Sequence, residues 1–149
     1  METITETTSV LNELIAIHND RIRGYENATE ETSNIELKEI FSQMIKGSVM
    51  FRDALAFEVK SYGQEIEYGT TLMGKIYRAW TDVKMVFTGK DEYEILSNCE
   101  FGEDAIQNAY KEALDAGDLP LAIRNILYEQ QQFLKLSHDK IQLLRDSYK

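Results

Sequence analysis

The sequence predicts an all-α protein built as a bundle of four long helices, and three observations carry that expectation. Apolar residues recur at alternating spacings of three and four through four separate stretches, as one buried helix face requires. A single proline and eight glycines among 149 residues leave those stretches almost uninterrupted. No clusters of turn residues fall at the spacing of strands. A chain of this length is expected to form one domain, 1–149, large enough to bury ~70% of its unfolded surface.

The first helix is expected from Glu6 to Glu31, with Leu11, Leu14, Ile15, His18, Ile22, Tyr25 and Ala28 on its buried face. Gly24 lies within it, where it costs ~1 kcal/mol against alanine and permits close approach of a neighbouring helix. Thr32-Ser33-Asn34 marks a turn, and Ser33 followed by Glu36 has the spacing of a capping box opening the second helix. That helix runs to about Tyr62 with the stripe Leu37, Phe41, Met44, Ser48, Phe51, Leu55, Glu58 and Tyr62, and Gly63 suits the left-handed residue that closes it.

A shorter amphipathic helix, Thr71 to Thr88, is expected to cover the bundle with Leu72, Ile76, Trp80, Val83 and Phe87. Trp80 and Tyr77 there either seal the open side of the bundle or mark a ligand groove. Asp91 with Glu94 caps the next long helix, whose stripe is Tyr93, Leu96, Cys99, Glu103, Ile106, Tyr110 and Ala113 and which stops near Gly117. Asp118 is expected to cap the last helix, with Pro120 tolerated in its first turn. That helix buries Ile123, Ile126, Leu127, Gln130, Phe133, Leu134, Ser137, Ile141 and Leu144.

The four long helices are each about 26 to 29 residues, or ~40 Å, so they lie side by side. The first joins the second, and the third joins the fourth, through tight turns that force antiparallel neighbours. A connection of about 27 residues separates the pairs and is long enough to travel the bundle's length. Two up-down pairs joined by a long crossover carrying its own short helix form the ferritin-like arrangement, as distinct from a simple up-down-up-down bundle. The spacing His18, Tyr25, Ala28 in the first helix repeats as Glu103, Tyr110, Ala113 in the third, by duplication or by chance.

Composition excludes several classes of function. A net charge of −10 repels nucleic-acid phosphates and anionic lipid, and no basic patch offsets it, so neither nucleic acid nor membrane is an expected partner. The opening Met-Glu-Thr-Ile-Thr-Glu has neither a basic nor an apolar leader region, and no apolar run approaches ~20 residues, so a cytoplasmic location is expected. One cysteine supplies neither an internal disulfide nor a thiolate cluster. On an apolar stripe, Cys99 reads first as a small core residue and second as a soft ligand or redox thiol. There is no nucleophile-base pair at usable spacing and no phosphate-cradling glycine loop.

Counted outward from the turns, His18, Gly47 or Ser48, Glu103 and the run Gln130 to Gln132 fall at one height, which predicts a polar layer across the middle of the bundle. Carboxylate-bridged di-metal bundles hold there a Glu from each of two helices and a Glu-x-x-His from each of the other two. Two adjacent divalent ions need several carboxylates to neutralise and bridge them, with imidazoles completing the coordination. Here Ile15 and Lys135 stand three residues before the only two histidines, His18 and His138, so no Glu-x-x-His exists. Glu103 and His18 remain candidate metal ligands, with Glu100, Glu26 and Glu58 as further carboxylates. The competing reading makes Glu103, His18 and Gln130 a hydrogen-bonded network fixing helix register, with Arg21, Arg23, Tyr25 and Tyr110 as candidate partners for inward carboxylates. His138-Asp139 is either a pH-sensitive or metal contact or an ordinary feature of the last helix.

Asp20-x-x-x-Gly24-Tyr25, Trp80-x-x-Val83-Lys84, Cys99-Glu100-x-Gly102-Glu103-Asp104 with Tyr110, and His138-Asp139-Lys-Ile-x-x-Leu-Arg145-Asp146 together resemble an uncharacterised bacterial family of four-helix bundles in the ferritin-like superfamily. The resemblance covers nearly the whole chain and implies the fold; the family's role is unassigned. Glu103 followed by Tyr110 is also similar to the metal-ligating helix of rubrerythrins, in which a ligand glutamate precedes a tyrosine by seven residues. By that likeness Glu103 carries over, whereas His18 stands at the matching place in the first helix and the second and fourth helices lack the motifs.

Two functions follow as expectations. The first is a degenerate ferritin-like bundle without enzymatic activity or cofactor, acting through protein association as a homodimer, with another protein, or as a small stress-associated accessory. The alternative is a ferritin-like protein that binds iron or another divalent metal through Glu103 and His18 with Glu26, Glu58 or Glu100, and handles iron or catalyses metal-dependent oxidation.

Overall fold

A computed structural model describes residues 2–66, 91–115 and 117–149. Four helices fill them: α1 (Glu2–Glu31), α2 (Ile35–Ser61), α3 (Glu92–Asp115) and α4 (Leu121–Ser147), with no strand among the described residues. The expected covering helix Thr71 to Thr88, with Tyr77 and Trp80, lies outside the described residues. Helix α1 packs along α2 and also against α3, while α3 packs along α4. Two antiparallel pairs therefore face each other through α1 and α3.

The helix ends show which local signals decide. Asp91 caps α3 as expected, its Oδ1 accepting from the Glu94 amide at 2.9 Å. Gly63 (φ +73°) and Gly117 (φ +89°) take the left-handed conformation that lets the chain leave α2 and α3 without a Cβ clash. Three expectations are corrected. Helix α1 begins at Glu2 instead of Glu6. The cap of α2 is Asn34 and not Ser33: Asn34 Oδ1 accepts from the Leu37 amide at 3.2 Å, and Thr32 Oγ1 accepts from the Asn34 amide. Helix α4 starts after Pro120, whose carbonyl accepts the Arg124 amide at 3.0 Å, so Asp118 stands too far upstream to cap it.

The core gathers one stripe from each helix, including Leu11, Leu14 and Ile15 on α1, Leu37, Phe41 and Leu55 on α2, Leu96 and Ile106 on α3, and Ile123, Leu127, Leu134 and Ile141 on α4. Each such side chain contributes roughly 1.5–3 kcal/mol by leaving water. Cys99 belongs to this core, fully buried. Several positions depart from the expected stripes: Phe51, Glu58, Tyr62, Tyr93, Ile126, Ser137 and Leu144 are half-buried at the edges of the core. Ile22 is only half-buried, because Arg21 takes the inward position beside it, and Phe133 is 62% exposed. No described helix is long and apolar enough to cross a membrane.

Candidate functional site

A polar layer crosses the bundle where the stripes of α1, α2, α3 and α4 present His18 and Arg21, Ser48, Glu103 and Tyr110, and Gln130. All are at most 4% exposed. Arg21 lies three residues past His18 and four before Tyr25, so the helical period that buries His18 and Tyr25 buries Arg21 too. Its guanidinium meets Glu103 side-on: Nε donates to Oε1 and Nη2 to Oε2, each at 2.9 Å. Nη1 donates to the Met44 carbonyl at 3.0 Å and to Ser48 Oγ at 2.8 Å, and Nη2 also points at Met44 Sδ at 3.6 Å. All five N–H groups of the guanidinium are thus engaged. Glu103 Oε2 accepts a further bond from the Tyr25 hydroxyl at 2.8 Å.

The other half of the layer is neutral, and its proton positions follow from the donors around it. Gln130 Nε2 donates to the Phe51 carbonyl at 3.4 Å, which turns Gln130 Oε1 towards Tyr110, whose hydroxyl donates to it at 2.6 Å. Having given its only proton, that hydroxyl accepts from His18 Nε2–H at 2.7 Å. His18 Nδ1 is then bare and accepts from the Ser48 hydroxyl at 2.9 Å, while Ser48 accepts from Arg21. The chain of donors runs from Arg21 through Ser48, His18, Tyr110 and Gln130 to the Phe51 carbonyl. A second proton on His18 would leave Ser48 facing two donors.

The electrostatics agree with that assignment. Burial, and then the charges of Arg21 and Arg52, lower the His18 pKa to about 3, so the ring is neutral at physiological pH. Burial opposes the charge on Arg21, but Glu103 beside it outweighs burial and holds the guanidinium above its ordinary value. Burial and the Glu103 carboxylate raise Tyr25 well above the usual phenol range, and burial raises Tyr110 against the pull of Arg21. Both phenols keep their protons and act as donors.

The structure brings Glu103 and His18 into one layer and places the other three candidates elsewhere. Glu100 is ion-paired with Arg145 on the α3–α4 seam, Glu58 is half-buried towards the end of α2, and Glu26 is exposed on α1 beside Thr29 and Glu30. Among the described residues, no group of three or more His, Cys, Asp or Glu side chains converges to hold a metal ion. The donor set of the layer does not fit a metal pair. Both oxygens of Glu103 are committed to Arg21, both nitrogens of His18 are spent, and a fixed cation sits where a metal would need carboxylates. A groove of about 800 Å³ lined by Thr8, Asn12, Glu13, Glu65 and Glu112 has no layer residue in its wall. His138 joins a separate cluster on the α3–α4 seam, 2.6 Å from Asp104 and 3.1 Å from Asp139.

The sequence offers Arg21 as a partner for an inward carboxylate, and the structure adds its place in the buried stripe of α1. The spacing Leu14, His18, Arg21, Tyr25, Ala28 held that signal, because it alternates four and three without a break. Of the remaining candidate partners, Tyr25 and Tyr110 enter the layer and Arg23 is exposed.

The chain belongs to the family described as a domain of unknown function, DUF2383, whose profile matches residues 6–116. Comparison with the curated proteins finds no match. Among solved structures, the chain is similar to a Dps1 mutant from Mycobacterium smegmatis, with a TM-score of 0.81 and 12% identity over 95% of this chain and 96% of that one. It is also similar to a ferritin-like, diiron-carboxylate protein from Bacillus anthracis str. Ames, with a TM-score of 0.70 and 17% identity over 100% and 99%. At such identities the likeness shows the fold, which is ferritin-like.

Proposed function

We propose that this member of the DUF2383 family is a metal-independent ferritin-like bundle in which Arg21 supplies the positive charge of the central layer, and that it works through protein association. The observation that carries the reading is the fully engaged guanidinium of Arg21 on Glu103. A buried carboxylate needs a counter-charge and hydrogen bonds; here a covalently attached cation provides both. The neighbouring His18 is held neutral and saturated, which leaves the layer with neither an open coordination position nor a reactive base. Buried on every side, the layer fixes the register of α1 against α3, and the surfaces left for work are the outer faces of the helices.

Anaerobic loading of the full chain with Fe(II), followed by metal analysis after desalting and oxygen-uptake measurement on readmission of air, tests this. Retained iron well below one equivalent, with oxygen uptake no faster than free Fe(II), is the expected result. Stoichiometric iron that Glu103→Gln abolishes, together with oxygen consumption, would overturn the reading in favour of an iron-handling protein.

A further inference from the structure

The outward face of α4 carries four large apolar side chains on one line: Leu121 (73% exposed), Tyr128 (57%), Leu136 (66%) and Leu143 (72%). Their spacings of seven, eight and seven residues take the line through ~6 turns at ~3.7 residues per turn, close enough to the 3.6 of a straight helix to keep it on one face. That face lies opposite the buried Ile123, Leu127, Leu134 and Ile141. An apolar line on the outside of a bundle with a net charge of −10 is an association surface by its chemistry.

The order of side chains on this face identifies the occupant, because it matches itself when reversed about Gln132. Leu121 stands as far before Gln132 as Leu143 stands after it; Tyr128 and Leu136 are related in the same way, and so are Asn125 and Asp139. We propose that a second copy of this chain docks here through a two-fold axis at Gln132, with the two α4 helices antiparallel. Leucine 121 then meets Leu143 of the second copy, Tyr128 meets Leu136, and the Asn125 amide donates to the Asp139 carboxylate. Gln132 meets its own copy, an amide being both donor and acceptor. Isologous contacts demand this self-complementarity, and it is absent from the outer face of α2, where Ile35 and Phe57 would pair but Met50 would meet Ser42.

Charge permits the contact as well. Asp139 is the one formal charge among the seven positions of the face, and its carboxylate is already matched by Lys135 at 3.0 Å and His138 at 3.1 Å. Between Leu121 and Leu143 the face is therefore a place where two strongly acidic copies approach without meeting like charges, and Asp146, one turn beyond, is matched within its own copy by Arg145 at 2.9 Å. At ~33 Å long and one helix wide it falls short of the ~800 Å² per partner of a standard interface. The dimer accordingly belongs to the weak, concentration-dependent class.

The proposal rests on the association reading above and is tested separately from the metal question. Sedimentation equilibrium of the full chain over a concentration series is expected to show monomer and dimer in exchange, with Leu136→Glu weakening the dimer at least about tenfold. Gln132→Cys, at the axis, is expected to form an intermolecular disulfide on mild oxidation. Asn125→Cys is not, because the axis sets its two copies ~21 Å apart. All three positions are exposed, and unchanged helical circular dichroism and melting verify that the variants fold. A monomer at every concentration overturns the proposal. So does a dimer that ignores Leu136→Glu and is not trapped by Gln132→Cys, although that outcome, unlike iron uptake, leaves association through another face intact.

Discussion

His18 on α1 reaches across to Tyr110 on α3, while Glu103 on α3 reaches back to Tyr25 on α1, and each stands seven residues before the tyrosine of its own helix. The repeat noted in the sequence thus becomes a crossed pair of contacts. Geometry is shared between the two arms and electrostatics is not. The His18 arm holds no net charge and is satisfied by four neutral groups, whereas the Glu103 arm holds a full ion pair removed from water. The difference teaches what a buried carboxylate requires. A neutral ring finds enough in hydroxyls and an amide, but Glu103 takes two N–H donors of a buried arginine and the Tyr25 hydroxyl, and that arginine needs the Met44 carbonyl and Ser48 for its other donors.

The largest break in this comparison comes from removing one partner of the ion pair. Arg21→Met strands the Glu103 carboxylate, and urea denaturation is expected to show a loss of ~3–5 kcal/mol. Adding Glu103→Leu to Arg21→Met is expected to recover most of that loss, because the apolar pair carries no desolvation cost. A double variant no more stable than Arg21→Met alone would mean that the ion pair itself, and not the stranded charge, sets the energetics.

A smaller effect isolates the neutral arm. The folded protein holds the His18 pKa at about 3, below the ~6.5 of an unfolded chain, so the unfolded state binds the extra proton first as pH falls. Stability from this group is complete above pH ~6.5 and declines as pH falls towards about 3, with a slope approaching ~1.4 kcal/mol per pH unit. His18→Gln is expected to lower stability at neutral pH by ~1–3 kcal/mol and to flatten that acid limb in pH-dependent chemical denaturation. An unchanged limb would place the acid sensitivity elsewhere.

The smallest effect belongs to the second histidine, which titrates in the opposite sense. Burial opposes protonation of His138, but hydrogen bonds and charge from Asp139 and Asp104 outweigh it and raise its pKa. Its contribution is complete below pH ~6.5 and is lost as pH rises through the raised value. Because Asp104 and Asp139 are largely solvated, His138→Asn is expected to cost no more than ~1 kcal/mol at pH 6 and less at pH 8. A cost that grows with pH would reverse the assigned sign.

Much of the architecture was legible in the sequence because it depends on period and chain length. The stripes Leu37, Phe41, Met44, Ser48, Leu55 and Leu96, Cys99, Glu103, Ile106, Tyr110 are buried as the 3-4 spacing requires. Glu103, His18 and Gln130 share a layer as counting from the turns predicts. Hydrophobicity alone places Phe133 inwards, whereas α4 turns it towards the outer surface beside Phe51. Ser33 and Asp118 have the composition of caps, but Asn34 and Pro120, one and two positions later, take the capping places, a choice set by where the chain turns.

By itself, then, the sequence determined four helices, their pairing across two short turns and one long connection, and the identity of the polar residues on their inner faces. Local spacing and turn chemistry are sufficient for that. What those polar residues do to one another is settled by the packing of the helices. Arg21 and Glu103 are 82 residues apart in the chain, and no local signal reports which oxygen meets which nitrogen. Partnership across a bundle is a property of packed helices, and it is this packing that spends the layer's donors and acceptors on each other.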